Sequence, residues 1–255
     1  MIRHPLIVAA TLTATLTLGA ACAGAKSIPA NIASAVADSN RPDADRQRDA
    51  NRKPAETLAF AGVKTGAKIA ELLPGGGYFT RIFSKAVGST GHVYAWVPPR
   101  PADAPADRPD FAARVNAIAA DPNYSNVSVL VQSNLEPPAP VDMVWTSQNY
   151  HDLHNFAGAD VAAFNKRVFD ALKPGGIYLI LDHAAAPGSG AGDTKTLHRI
   201  DPETVKAEVL AAGFKLAGSS DLLHQAGDDH TLKVFDPSIR GKTDQFILKF
   251  RKPGR

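Results

Sequence analysis

The chain has one cysteine, two methionines and two tryptophans in 255 residues. The single cysteine, Cys22, excludes an intrachain disulfide and a thiolate zinc site. No run of Lys or Arg occurs, and the formal net charge is only +3. Nucleic acid and anionic membrane surfaces are therefore not the expected partners. No apolar stretch reaches the roughly 18 residues of a spanning helix, so no transmembrane segment is expected in the mature chain. The dinucleotide fingerprint G-x-G-x-x-G and the zinc-protease pattern H-E-x-x-H are both missing. Gly241-Lys242-Thr243 has the tail of a phosphate loop, but Asp236 stands where that loop needs its first glycine. Hydrophobic residues make up 44% and charged residues 21%, a balance that excludes extensive disorder and implies a globular domain.

What is present begins with a targeting pattern. Arg3 and His4 precede an apolar run at 6–18, too short to span a bilayer and of the right length for an export signal. The small residues that follow allow two exits. Ala21/Ala23 and Ala23/Ala25 suit ordinary cleavage. Gly19-Ala20-Ala21-Cys22 resembles a bacterial lipobox, with Gly19 where Leu is preferred, and would place a lipid anchor on Cys22. Retention as an N-terminal helix on a cytoplasmic protein is the alternative. The expected division is a signal peptide at 1–25, a flexible lead at 26–40 and a single domain at 41–255, located in the periplasm or otherwise exported.

Short apolar runs at 67–73, 92–97, 127–131, 141–146 and 177–181 read as strands. The spacing at 78–87, 164–172 and 202–212 predicts helices. Residues 41–51 read as a surface helix that restarts at Pro54. Strands alternating with helices imply an α/β fold with a doubly wound, mostly parallel sheet covered on both faces. The last strands, at 214–219 and 246–250, lack a helix between them and are expected to form an antiparallel edge pair. The proline-rich stretches 98–109 and 136–140 are connections within one domain.

Glu71-Leu72-Leu73-Pro74-Gly75-Gly76-Gly77-Tyr78-Phe79-Thr80 links the first strand to the first helix of this pattern. An open parallel sheet binds ligands at the carboxyl ends of its strands. Glycines there let a ligand press against backbone N–H groups, and the acid before them can accept hydrogen bonds from an amine or hydroxyls. A turn that only packs strand against helix is the simpler alternative.

With this loop, the stretches 141–155, 172–190, 196–201 and 228–253 give the chain a resemblance to the class I S-adenosylmethionine-dependent methyltransferases. Within them it is similar to a bacterial subgroup of exported predicted methyltransferases of unsettled substrate. The resemblance covers roughly 40–251. It implies a Rossmann-like seven-stranded sheet with an antiparallel last strand. It also implies S-adenosylmethionine held by Glu71, Pro74, Gly75, Gly76, Gly77, Tyr78 and Thr80, and a small-molecule methyl acceptor. Two residues depart from the pattern. Leu73 replaces the first glycine of acid-x-Gly-x-Gly-x-Gly, and 92–98 offers no acid at the end of the second strand. Trp96 either stacks on a ligand ring or packs in the core.

Asn149-Tyr150-His151-Asp152-Leu153-His154 follows the fourth strand, and Asp182-His183 ends the fifth. Adjacent strands bring both sets to one edge beside the glycine loop. His151 or His183 suits a general base and Asp152 or Asp182 its orienting carboxylate. Tyr150 suits positioning of the acceptor or the methyl group. The leading expectation is methyl transfer with no metal. Two others stand beside it. One is an exported ligand-binding module without transfer chemistry. The other is a metal-assisted hydrolase with His151, His154, Asp182 and His183 as ligands. Asp201 reads as a helix N-cap, and the resemblance keeps His198, Arg199 and His230 as lid or substrate residues.

Overall fold

Runs rich in Val, Ile, Leu and aromatic residues pair into one sheet because each can bury both faces between helices. The structure, a computed structural model, describes residue 1 and residues 27–254 apart from 103, 106–109, 157 and 159. The expected signal segment, its cleavage sites and Cys22 lie outside the described residues. The strands are β1 (Lys68–Leu72), β2 (His92–Val97), β3 (Val127–Val131), β4 (Val141–Ser147), β5 (Leu172–His183), β6 (Lys215–Ser220) and β7 (Gln245–Arg251). Their order is β3-β2-β1-β4-β5-β7-β6. β7 runs antiparallel between β5 and β6, and the other pairings are parallel. The α/β class, the parallel core and the antiparallel last pair agree with the sequence pattern.

The helices are α1 (Ala30–Val36), α2 (Asp43–Arg46), α3 (Asp49–Arg52), α4 (Pro54–Ala61), α5 (Tyr78–Val87), α6 (Phe111–Ala119), α7 (Val161–Ala171) and α8 (Pro202–Ala211). On α5, Phe79 and Phe83 each lie edge-on to Trp145 of β4 at 4.9 Å between ring centroids. Leu72 of β1 is level with Trp96 and Thr146, and Ser147 with Leu181. The carboxyl ends of β1, β4 and β5 therefore form one edge. The strand order reverses between β1 and β4, which makes their common end the switch point where open α/β sheets bind ligands.

One expectation for the N-terminal part is corrected and another is refined. The lead at 26–40 is not featureless, because 30–36 form α1. Ile32 and Ala35, three apart, make an apolar stripe that is fully buried against α5, and Asn31 donates to the Ala86 carbonyl at 3.0 Å. Residues 41–51 form two short helices, α2 and the start of α3, rather than one, and they face solvent as the charged sequence implies, with Arg41 just before them as the exception. Arg41 is 1% exposed and grips Asp49 through two hydrogen bonds of 2.8 and 2.7 Å, while the Tyr78 hydroxyl donates to the same carboxylate. A charged residue packs inside when its partner comes with it, and composition does not reveal that partner. Among the described residues no helix is long and apolar enough to cross a membrane.

Candidate active site

The loop after β1 is built on left-handed backbone. Leu73, Gly75 and Gly77 have φ of 50°, 59° and 77°. A Cβ added at Gly75 or Gly76 would meet nothing within 4 Å, so these two leave room beside the backbone. A Cβ at Gly77 would lie 2.1 Å from Ile118 Cδ1, so that glycine serves the packing of α5 on α6. Leu73 keeps the left-handed backbone at the position where the family pattern has its first glycine. For a side-chain-bearing residue this costs about 1 kcal/mol or more.

Three loop residues expected at the ligand are buried, two of them bound to protein groups. Pro74 is buried. The Tyr78 hydroxyl is bound to Asp49, and its ring lies 4.4 Å from the Arg52 guanidinium carbon. Thr80 donates to Glu71 at 2.6 Å. Glu71 is 3% exposed, and burial pushes its carboxyl up to about 7, against the opposing effects of Thr80 and Arg52. The unfolded chain ionises this group near 4.5. The folded state therefore holds an extra proton between these values, and stability is expected to fall as pH rises through that window and to level off above it. Urea midpoints taken across the window should show this slope in the native protein and a flatter one in Glu71→Gln.

A cavity of about 330 Å³ opens beside the loop, lined by Leu73, Gly75, Pro98, Phe111, Asn149 and Asp152 among others. Trp96 does not reach it. Its ring packs on Phe164, and its indole N–H donates to the Asn134 carbonyl at 3.0 Å.

The turn after β4, a short 3₁₀ segment at His151–His154, meets the end of β5. The Asp182 carboxylate accepts the His151 backbone N–H and pairs with His151 Nδ1, both at 2.8 Å. Burial raises the Asp182 carboxyl, but the charge and hydrogen bonds of His151 outweigh it and hold it below the usual range. Burial likewise disfavours charged His151, and Asp182 more than offsets it, so that imidazole binds its proton more tightly than usual. His183 behaves differently. Burial pushes it down to about 4, and its Nδ1 lies 2.8 Å from Thr243 Oγ1. Tyr150 is placed away from this edge. It is fully buried, donates to Glu208 at 2.8 Å and accepts from Asn165 at 2.7 Å. Its side chain enters the layer between sheet and helices and lines neither the cavity beside the glycine loop nor the one beyond the cluster. His154 also turns to Glu208, with Nε2 at 3.4 Å.

A second cavity, of about 580 Å³, lies on the other side of the cluster. Arg48, Arg52, Gln148, His183, Arg240 and Gln245 are among its walls. The Arg52 guanidinium donates to Ser147 and Gln148 at 3.2 and 2.9 Å and covers the Phe79 ring at 4.9 Å. No carboxylate lies within 4.0 Å of it among the described residues. Burial and the neighbouring Arg48 lower its pKa to about 10. His198, from the segment after β5, completes the cluster with its Nδ1 3.3 Å from His151 Nε2. Sequence reading missed the arginines and the meeting of His198 with His151. Nothing in the periodicity of 41–53 marks Arg52 as inward, and 47 residues separate His198 from His151.

No protein-family model and no curated protein matches the chain. Solved structures do. A SAM-dependent methyltransferase from Aquifex aeolicus superposes with a TM-score of 0.56 at 17% identity, over 83% of this chain and 98% of that one. The fold is that of the S-adenosylmethionine-dependent methyltransferases. A second such enzyme, from Mesorhizobium loti, gives a TM-score of 0.54 at 18% identity, over 80% of this chain and 100% of that one. The cyclase SpnF gives 0.55 at 18% identity, over 83% and 82% of the two chains. The same architecture therefore carries more than one chemistry, and function has to be argued from the site.

Proposed function

We propose that the protein is an S-adenosylmethionine-dependent methyltransferase whose acceptor is a small anionic molecule. One observation carries the proposal. The cavity beside the open glycine cradle, walled by Asn149 and Asp152, and the arginine-lined cavity, walled by Gln148 and His183, both reach the carboxyl ends of β4 and β5 next to the switch point of the sheet. The cradle fits the amino-acid end of the cofactor. Gly75 and Gly76 leave backbone uncovered, and Asp152, whose carboxylate suits a cation, lines the same cavity as Asn149, whose amide nitrogen is held by the Leu73 and Ser147 carbonyls. No carboxylate follows β2, where Pro98-Pro99-Arg100 stands instead, so ribose hydroxyls would be held by other groups. The bound cofactor would supply an electrophilic methyl group on sulfur. The chain's own part is to place an acceptor against it. Arg48, Arg52 and Arg240 attract and orient an anion, and burial of Arg52 strengthens that attraction. Neutral His183, held at Nδ1 by Thr243, lines this cavity and offers an imidazole that can take the acceptor's proton.

The test is calorimetry with S-adenosylmethionine and S-adenosylhomocysteine. Binding is expected in the native protein and more than tenfold weaker, about 1.4 kcal/mol, in Gly75→Val with an unchanged circular dichroism spectrum. A branched side chain there fills the cradle and is strained at positive φ. Absence of binding by the native protein would instead support the ligand-binding module, which the missing acid after β2 favours. The apolar run at 6–18 supports a further part of the reading, that the protein is exported and matures near residues 22–26. N-terminal mass spectrometry from the native host that found Met1 intact would overturn it. Loss of membrane association in Cys22→Ser would identify a lipid anchor.

A further inference from the structure

We infer that His151, Asp152 and His198 form a binding site for a divalent transition metal of the Zn(II) class. His151 Nε2 lies 3.3 Å from His198 Nδ1 and 3.4 Å from an Asp152 carboxylate oxygen, and His198 Nδ1 lies 3.8 Å from that same oxygen. Zinc binds imidazole nitrogen and carboxylate oxygen at about 2.0–2.2 Å, and a tetrahedron of that size has edges of about 3.3–3.6 Å. The three atoms thus already stand close to the corners of one tetrahedral face, and the fourth corner is left for water or another ligand. Two imidazoles and one carboxylate suit zinc rather than magnesium or calcium, which prefer oxygen alone.

The surroundings have the form of a metal centre's outer shell. Asp182 is bound to the other ring nitrogen of His151 at 2.8 Å and fixes that ring with Nε2 facing the cluster. Asp182 is itself held by backbone N–H groups of His151 and His183, both at 2.8 Å. His198 has φ of 55°, unusual for a side-chain-bearing residue. It is kept there by its buried neighbour Arg199, which donates to the Ala184 and Leu232 carbonyls at 3.0 Å and pairs with Asp228 at 2.9 Å. The His151 side chain is 3% exposed, those of Asp152 and His198 are 34% and 24% exposed, so an ion can enter from their side. His154 is not part of the set, since its ring turns to Glu208.

The proposal does not depend on methyl transfer, and its test uses neither cofactor nor acceptor. Untagged full-length protein is freed of metal with a chelator and titrated with Co(II), then with Zn(II) in competition. One equivalent of Co(II) should give the intense visible spectrum of tetrahedral coordination, and Zn(II) should abolish it. His198→Ala and Asp152→Asn should each weaken binding more than tenfold. Asp182→Asn, which leaves all three ligands in place, should weaken it by about 10- to 100-fold. His154→Ala should leave the affinity unchanged. Asp152 is partly exposed and makes no backbone contact with His198, so its variant keeps the test valid if His198→Ala fails to fold. Native protein that takes up no Co(II), or affinity that survives in both Asp152→Asn and His198→Ala, would overturn the site. Loss in His154→Ala would overturn this choice of ligands.

Discussion

His183→Ala is expected to slow methyl transfer by about 10²- to 10⁴-fold, the usual contribution of a positioned proton acceptor, while affinity for S-adenosylmethionine stays within severalfold. The two quantities separate because His183 lines the arginine-walled cavity and not the cavity beside the glycine loop. Its burial holds the imidazole neutral, with a pKa of about 4, so the ring is in its accepting form throughout the physiological range. Thr243 fixes the other nitrogen at 2.8 Å. The measurement is single-turnover release of S-adenosylhomocysteine, with acceptors screened from small carboxylates, thiols and phenols. Full activity in the alanine variant would remove the proton-transfer role and leave proximity alone to explain the rate.

Arg52→Met should raise the acceptor KM by at least thirtyfold, about 2 kcal/mol, and should not lower the melting temperature. The sign of the second effect separates function from structure. A guanidinium that held the fold together would have a buried carboxylate as partner, and its removal would cost several kcal/mol. Arg52 has only the Ser147 hydroxyl and the Gln148 amide oxygen as acceptors. Burial and the neighbouring Arg48 lower its pKa to about 10, against the more distant attraction of Tyr78, Glu71 and Asp45, so no contact ion pair among the described residues ties this charge to the fold. Methionine matches its length and keeps the contact with the Tyr78 and Phe79 rings. Thermal melts of the two proteins, with acceptor kinetics alongside, decide the matter. A clear drop in melting temperature would make Arg52 a structural residue.

The sheet was legible because its strands are short apolar runs bounded by glycine and proline, and each run has room for only one assignment. Convergence of His151 with Asp182 and His183 was legible for a similar reason. Residues that end adjacent parallel strands are brought to one edge by topology alone. The direction of a side chain within such a turn was not. Tyr150 and His151 are neighbours, yet one enters the core and the other faces the edge, and the 3₁₀ turn at His151–His154 decides which. Arg52 and His198 were illegible for another reason. Each reaches the site from a segment whose path is set by long-range packing, through Arg41 and Asp49 in one case and through Arg199 and Asp228 in the other. Leu73 shows a third limit. A missing glycine in a motif suggests a changed loop, but the backbone keeps a φ of 50° there.

The arginine-walled cavity joins residues from near the two ends of the described chain, Arg48 and Arg52 at one and Arg240 and Gln245 at the other. Its far wall is carried by the start of β7 and the segment before it, and β7 enters the sheet between two strands made earlier. The glycine loop, its helix and the neighbouring strands thus lie wholly upstream of the residues that close the arginine-walled cavity. Until β7 is in place, β5 also lacks its partner on that side. On the proposed reading, the acceptor side of the site depends on the last strand of the sheet, whereas the glycine loop does not.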